Sequence, residues 1–506
     1  MSAYRIPAVI EQVKKLSIKA FFWSAGESFG LGLLSLAVFV LLARLLQPED
    51  FGVVALAGVF VFTFNLIIGT SFADALVQRA ALKPGHSDAA FWTTIVLSLL
   101  LAGASFALAG IAADGLGEPE LEKVLPWLAL SMPLNAIGTV QTALFRRALQ
   151  FRTIAVRSIS GRLAGAAVGV GMALAGFGVW SLVGQQLVGV AVTNLALAIR
   201  SPWRPRLRFS FRRLRDLAGF GLHVSAAQVI NGLAEQAVTF AVGVLFGTTQ
   251  LGFFTIAWRV VQLIRALVGS AVYHVGFSAF SRLQADRQAL AAAVLQSTRF
   301  ACLFGFPIGA GIALLAGPII VLLFGARWLA GEPLMVLLAL EMLPGFYVIF
   351  FAPCFRALGR PGLTLALSIV YALAGIAAVV ALAPLGLEIA VLGWVARTFL
   401  LLPVQIVLLK RILQVPLLRI LKPVMAPMLA SVLMAATVAT LLWQIEGRID
   451  NAAVVALAVA TGIVAYGLGI ALFARDLLTF LLRLPRLLGG STPSPPQEAA
   501  GIGGGS

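Results

Sequence analysis

Residues Leu41–Gly52 read LLARLLQPEDFG, and Leu245–Gly252 read LFGTTQLG. Each ends an apolar run, turns over a few polar residues to a glycine, and enters a second apolar run. That run passes Ala57 to Gly69 in the first case and Ala257 to Gly269 in the second. At an offset of 200, Leu45/Leu245, Gly52/Gly252, Ala57/Ala257, Val61/Val261 and Gly69/Gly269 are identical. The shared order of helix, turn, glycine, helix, glycine marks an internal repeat. It continues: FRRALQ at Phe145–Gln150 is echoed by FRALGR at Phe355–Arg360, and the runs that follow carry Gly165 and Gly375. The next turns are Gly176–Val179 and Pro384–Leu387.

The rest of the chain says what solvent the repeat lives in. A 506-residue chain that is 60% hydrophobic and only 11% charged is not built as a soluble globule. Apolar runs long enough to cross a hydrocarbon core of about 30 Å recur throughout. Backbone groups in lipid must be satisfied within their own segment, so these runs are expected to be helices. Strand-like alternation is absent, which argues against an outer-membrane barrel. The runs divide into fourteen spans, from 17–44 to 451–474. No short apolar region ends in a small-residue cleavage site, so no removable signal peptide is expected.

Basic residues test the count. Alternate connecting segments, starting with the N-terminus, hold 28 Lys and Arg; the segments between them hold only Arg44, Lys123, Arg327 and Arg448. Such a bias places the basic segments, and both termini, in the cytoplasm, and a miscounted span would scramble it. The expected fold is an all-α integral membrane protein of about fourteen transmembrane helices, with two parallel-repeat six-helix lobes around a central cavity plus two C-terminal helices. Residues 1–199 form the N-lobe, 200–215 a basic cytoplasmic linker and 216–411 the C-lobe. Residues 412–475 add the last two spans, and 476–506 form a cytoplasmic, largely disordered tail. Six is an even number, so both lobes share one orientation.

The net charge of +17 does not indicate nucleic acid, because no soluble domain presents it. Its densest run, RSPWRPRLRFSFRRLR at Arg200–Arg215, reads as a topology signal and linker. Phe209, Phe211 and Leu214 would also suit a membrane surface, which makes an anionic-lipid contact the sharper reading. There is no phosphate-binding loop, no His-Glu-x-x-His and no cysteine-rich spacing. Cys302 and Cys354 lie in apolar runs and read as packing residues. No catalytic residue, metal or cofactor is expected. A membrane glycosyltransferase or polymerase would carry catalytic groups on a long outer loop, and the longest outer loop, Asp114–Lys123, has no such constellation.

The informative residues are charges deep in the spans: Glu27, Arg162, Glu235, Arg259, Arg265, Glu341 and Arg397. Each costs at least about 2.5–3.5 kcal/mol in hydrocarbon, so several together imply a hydrated interior. The planar fork of arginine suits a phosphate, which makes Arg259, Arg265 and Arg397 candidate substrate-binding cations. Glu27 and Glu235 are candidate ion-coupling or salt-bridge carboxylates. The alternative is internal pairing, for instance of Glu235 with Arg259 or Arg265. Arg259 and Arg265 are six residues apart and diverge by about 120° on a helix, so they are not expected to share one face. Their counterparts in the first repeat are Val59 and Asn65.

The phrases at Leu41–Gly52, Leu245–Arg259 and Phe355–Pro361 resemble the polysaccharide-export branch of the MOP flippase superfamily, in particular the colanic-acid-exporter-like lipid-linked oligosaccharide flippases. The resemblance implies two six-helix lobes in a V. It implies translocation of an undecaprenyl-pyrophosphate-linked oligosaccharide across a bacterial inner membrane by alternating access, driven by an ion gradient or the membrane potential. Prospective partners are the bilayer, the lipid-linked oligosaccharide and the polysaccharide polymerase or export machinery. Arg259 is the residue best matched to the family pattern. Two other readings stand beside this one: a multidrug or cation antiporter of the same superfamily, which would favour acidic cavity residues, and the membrane glycosyltransferase or polymerase.

Overall fold

The computed structural model describes residues 30 to 474 except 31, 79–81, 83, 281–282, 284–285 and 446–447. Within helices it describes backbone only at 67, 69–75, 78, 84, 151, 215–231, 235 and 267–279. The described residues form helices and no strands. In chain order these are α1 (Gly32–Leu45), α2 (Pro48–Gln78), α3 (Pro84–Leu116), α4 (Pro119–Ala129), α5 (Ser131–Arg147), α6 (Phe151–Leu174), α7 (Trp180–Arg200) and α8 (Phe211–Phe280). They continue with α9 (Arg287–Leu314), α10 (Ala316–Phe324), a 3-10 turn at Ala326–Gly331, α11 (Glu332–Val348), α12 (Phe351–Ala357), α13 (Pro361–Leu382), α14 (Leu387–Leu413), α15 (Leu417–Ile445) and α16 (Asn451–Phe473).

Among the described residues, eleven helices are long and apolar enough to cross a membrane. Three features separate this number from the expected fourteen. The described part of α1 is short, and α6, which carries Arg152, Arg157 and Arg162, is not among the eleven. Finally, α8 joins two expected spans across a break at Gly247 (φ 81°, ψ 173°). That φ favours glycine, so a single residue ends one run and starts the next.

The helix starts follow from local chemistry. Pro48 opens α2, where its missing N–H costs nothing, and Glu49 and Asp50 sit in the first turn. The Asp50 carboxylate also accepts the Gln47 N–H at 2.9 Å. Asp286 caps α9, accepting from the N–H groups of Gln288 and Ala289 at 2.9 and 3.0 Å.

Among the described residues, helices α2 and α8 make the most extensive helix–helix contact. It is a reciprocal contact. A Cβ on Gly52 would meet the Thr248 carbonyl, and a Cβ on Gly252 would meet the Pro48 carbonyl. The two turns of the sequence repeat therefore press on each other, residue for residue at the 200 offset. Glu49 and Thr249, another pair at that offset, hydrogen-bond through Thr249 Oγ1 to Glu49 Oε1 at 3.0 Å.

More distant loops lock this rim. Glu118 Oε1 accepts the Thr248 N–H at 3.1 Å, capping the resumed half of α8. Trp328 Nε1 donates to the Ala43 carbonyl at 2.8 Å, and Arg327 donates to Leu46 at 3.4 Å. Arg44 donates back to the Leu323 carbonyl at 2.8 Å and to Leu322. The Trp328 ring meets Phe51 and Phe253 edge to face, at 5.5 and 6.0 Å, and Phe39 meets Phe324 at 5.9 Å. Each such pair adds about 0.5–1.5 kcal/mol beyond area burial.

The Arg200–Arg215 stretch is docked at the opposite ends of these helices. Trp92 Nε1 donates to the Arg206 carbonyl at 2.8 Å, the Arg206 N–H donates to Asp88 at 3.3 Å, and Trp203 meets Phe91 at 5.7 Å. Arg204 donates to the last carbonyls of α7, at Ala198 and Ile199. Leu207, Phe209 and Phe211 stay exposed.

Candidate functional site

Two polar cavities lie on either side of α8. The larger, about 750 Å³, is lined by Ser35, Asn135, Arg157, Arg162, Asn194 and Arg259 among others, and among the described residues no carboxylate lines it. Its walls depend on a close helix pair. Gly165 on α6 faces the backbone of α7 so tightly that a Cβ there would lie 3.1 Å from the Gly189 Cα. This seam brings Gln185 and Gln186 of α7 into the cavity beside the α6 arginines. Arg162 donates to the Ser35 hydroxyl, which aims it at α1. Arg259, twelve residues past Gly247 and so about 18 Å down the resumed helix, lies 5.9 Å from the Phe39 ring.

The smaller cavity, about 450 Å³, is lined by Arg265, Thr364, Tyr371, Trp394, Arg397 and Gln405 among others. Arg265 is ion-paired with Glu341, Nη1 to Oε2 at 3.2 Å, and donates a hydrogen bond from Nη2 to Oε1 at 3.5 Å. Arg397 stacks 4.3 Å above the Trp394 ring and 5.8 Å from Tyr371, whose hydroxyl accepts from Gln405 Nε2 at 2.5 Å. Gly375 makes room, since a Cβ there would lie against the Arg397 guanidinium. Gly165 and Gly375 occupy matched places in the repeat, yet the first admits a helix and the second admits a cation. Arg397 Nε, Arg397 Nη1 and Trp394 Nε1 are buried with no hydrogen-bond acceptor among the described residues. Buried donors left over in this way suit a ligand with several acceptor oxygens.

The three arginines named from sequence thus do not converge. Arg259 faces one cavity while Arg265 and Arg397 face the other, as the six-residue spacing on one helix requires. The partner of Arg265 is Glu341. Glu27 lies outside the described residues, and so does the side chain of Glu235. Asn65, the repeat counterpart of Arg265, donates to the Val61 carbonyl of its own helix at 2.9 Å.

Sequence reasoning missed Arg157, one of the 28 basic residues assigned to connecting segments, and also Asn135, Gln185 and Asn194. Their signal was polar spacing on α5 to α7, hidden by the neutral side chains. Cys302 and Cys354 are buried free thiols, in line with a packing role. Among the described residues no group of three His, Cys, Asp or Glu could hold a metal ion.

Comparison with known proteins places this geometry. Residues 41–333 match the family described as polysaccharide biosynthesis protein. The chain is 30% identical over 469 residues to the succinoglycan biosynthesis transport protein ExoT of Rhizobium meliloti (strain 1021), covering 92% of this chain and 94% of that one. Its fold matches the lipid II flippase MurJ in an inward closed conformation, with a TM-score of 0.74 at 13% identity over 90% of this chain and 100% of that one. It also matches an inward-facing multidrug resistance MATE family transporter of the MOP superfamily, with a TM-score of 0.62 at 18% identity over 77% of this chain and 98% of that one. The chain is a multi-pass, all-helical membrane protein that belongs to the polysaccharide biosynthesis protein family and has the fold of the MOP superfamily transporters.

Proposed function

We propose that this protein is a flippase. It moves an undecaprenyl-pyrophosphate-linked oligosaccharide repeat unit from the cytoplasmic to the periplasmic leaflet of a bacterial inner membrane, for exopolysaccharide, capsule or O-antigen synthesis. The observation that carries this reading is the larger cavity: three arginines, a set of neutral amides and hydroxyls, and, among the described residues, no carboxylate. Pyrophosphate and sugars do not cross hydrocarbon unaided. Arginines bind the phosphates, amides and hydroxyls bind the sugars, and the lipid tail stays in the bilayer. The relative named for succinoglycan transport and the fold match to a lipid II flippase support the same substrate class.

The proposed topology has fourteen crossings, with the Gly52 and Gly252 turns on the periplasmic rim and both termini in the cytoplasm. The division into an N-lobe to 199, a linker at 200–215, a C-lobe to 411 and two further helices follows from it. The rim is shut, so this form is closed on the side of the Gly52 and Gly252 turns. Opening parts the Gly52–Thr248 and Gly252–Pro48 contacts. A substrate shifts that equilibrium only if it binds the two forms differently, and the arginines on α8 are placed to do this because α8 belongs to both the rim and the cavities. A cation antiporter would need acidic cavity groups, and among the described residues the carboxylate beside the smaller cavity, Glu341, is engaged by Arg265. Polymerase and export proteins are the prospective partners.

Deletion of the gene tests the reading. Lipid-linked repeat units are expected to accumulate on the cytoplasmic leaflet while polymer disappears. Normal polymer with no accumulated intermediate would exclude it.

A further inference from the structure

The link from α7 into α8, Arg200–Arg215, holds seven arginines and no acidic residue in its sequence. Its middle is fixed in place. The Arg206 carbonyl accepts from Trp92 Nε1 at 2.8 Å and from the Arg208 N–H at 2.7 Å. The Arg206 N–H donates to the buried Asp88 at 3.3 Å. The bond between Arg208 and Arg206 closes a three-residue turn with Leu207 at its apex. Leu207 is 88% exposed, Phe211 73% and Phe209 58%. Arg206, Arg208 and Arg212 are exposed beside them. Helix α3 sets the level of the turn. It has no charged residue from Ala89 to Ala113, and Trp92 stands in the first turn of that run. A tryptophan at the edge of a spanning run marks the boundary between membrane and water. The same Trp92 holds Arg206.

We propose that the turn at Leu207 inserts into the leaflet at the start of α3 and binds its anionic phospholipids. Leu207, Phe209 and Phe211 enter the boundary between headgroups and acyl chains, and Arg206, Arg208 and Arg212 meet the phosphates. Three features together carry the inference: apolar side chains turned outward, a backbone pinned by hydrogen bonds, and the level marked by Trp92. A topology signal alone needs the arginines but not the apolar tip. Apolar tips set among basic residues fit a membrane surface of negative charge. A second copy of this chain would bring the same arginines to the strip, and like charges would oppose it. Arg204 takes no part, because it donates to the Ala198 and Ile199 carbonyls at the end of α7. The bonds of Arg206 to α3 and of Arg204 to α7 tie the turn to both helices, so the lipid contact seats that end of α3 and α7 on the leaflet. The proposal does not depend on what the polar cavities carry.

The test is a fluorescent label on Leu207→Cys in the full chain, reconstituted in liposomes whose lipids carry bromine near the top of the acyl chain. Cys302 and Cys354 are buried, which leaves the new thiol as the accessible one. The bromines are expected to quench the label several-fold more in a mixture of phosphatidylglycerol and phosphatidylcholine than in phosphatidylcholine alone. Arg206→Gln with Arg208→Gln and Arg212→Gln should lower the quenching in the mixture several-fold, since each basic residue near the surface contributes separately. Replacing the same three arginines by lysine should keep it. Arg419→Gln with Lys422→Gln, at the start of α15, should leave it unchanged. The proposal is overturned if the label is quenched no more in the mixture than in phosphatidylcholine, if the glutamine triple variant is quenched as strongly as the parent, or if the α15 variant carries the loss instead. Loss of quenching as the ratio of protein to lipid rises would also overturn it, by assigning the strip to a second copy of the chain. If the triple variant does not fold, the three single glutamine variants are read in its place, each expected to lose about twofold.

Discussion

Gly52 lies against the carbonyl of Thr248, and two hundred residues on, Gly252 lies against the carbonyl of Pro48. The turn of each repeat is thus the lid of the other. A pair of contacts related in this way can only be made or broken together, which is what a gate on an approximate two-fold axis requires.

Gly52→Val or Gly252→Val puts a branched side chain into that contact. Overpacking of this kind costs about 1–3 kcal/mol, and here it falls on the shut form only. Thr249→Cys in the valine background should react with an impermeant maleimide added from outside about tenfold faster than in the parent background.

Trp328 joins the rim by a hydrogen bond and by ring packing, and the two contributions can be separated. Trp328→Phe keeps the contacts with Phe51 and Phe253 and loses the bond to Ala43, for about 1 kcal/mol. Trp328→Ala loses both, for about 3–5 kcal/mol. The order of thermal inactivation in membranes should be parent, then phenylalanine, then alanine.

Arg265 and Glu341 are expected to behave as a unit. Arg265→Ala leaves a buried carboxylate without its cation and should lower stability by about 3–5 kcal/mol. Adding Glu341→Gln should restore most of it. Restored folding with export still absent assigns Arg265 to the substrate, and restored export assigns it to the scaffold. Heat stability and polymer yield of the single and double variants read this out.

Arg397 is held by a flat ring, so a flexible ammonium does not replace it. Arg397→Lys keeps the charge but loses the stacking on Trp394 and the planar fork. Polymer export in a deletion strain should fall by about tenfold or more at an unchanged protein level, as checked by immunoblot.

How much of this could be read beforehand follows physical lines. The hairpin twins were visible because a helix, a turn and a glycine leave a pattern that survives drift in the apolar positions. Arg259 and Arg265 were visible because a charge in an apolar run has no other easy explanation, and their divergence followed from helix geometry alone. The pairing of Arg265 with Glu341 was not visible. It joins residues 76 apart, and nothing local prefers Glu341 to Glu235. Arg157 was misread for a related reason: basic residues near a span end serve topology and cavity alike, and only the fold says which. The clasp of Glu118 on Thr248 joins loops 130 residues apart that carry no motif.

The most direct measurement of the central claim is translocation itself. The purified protein would be reconstituted in liposomes with an undecaprenyl-pyrophosphate oligosaccharide, and the arrival of sugar at the far leaflet followed with an impermeant glycan-modifying enzyme. The parent is expected to accelerate arrival well above protein-free liposomes, and Arg259→Ala with Arg162→Ala to lose about tenfold or more of that rate. A parent that accelerates nothing, or a double variant that matches the parent, would contradict a cationic cavity that carries the pyrophosphate.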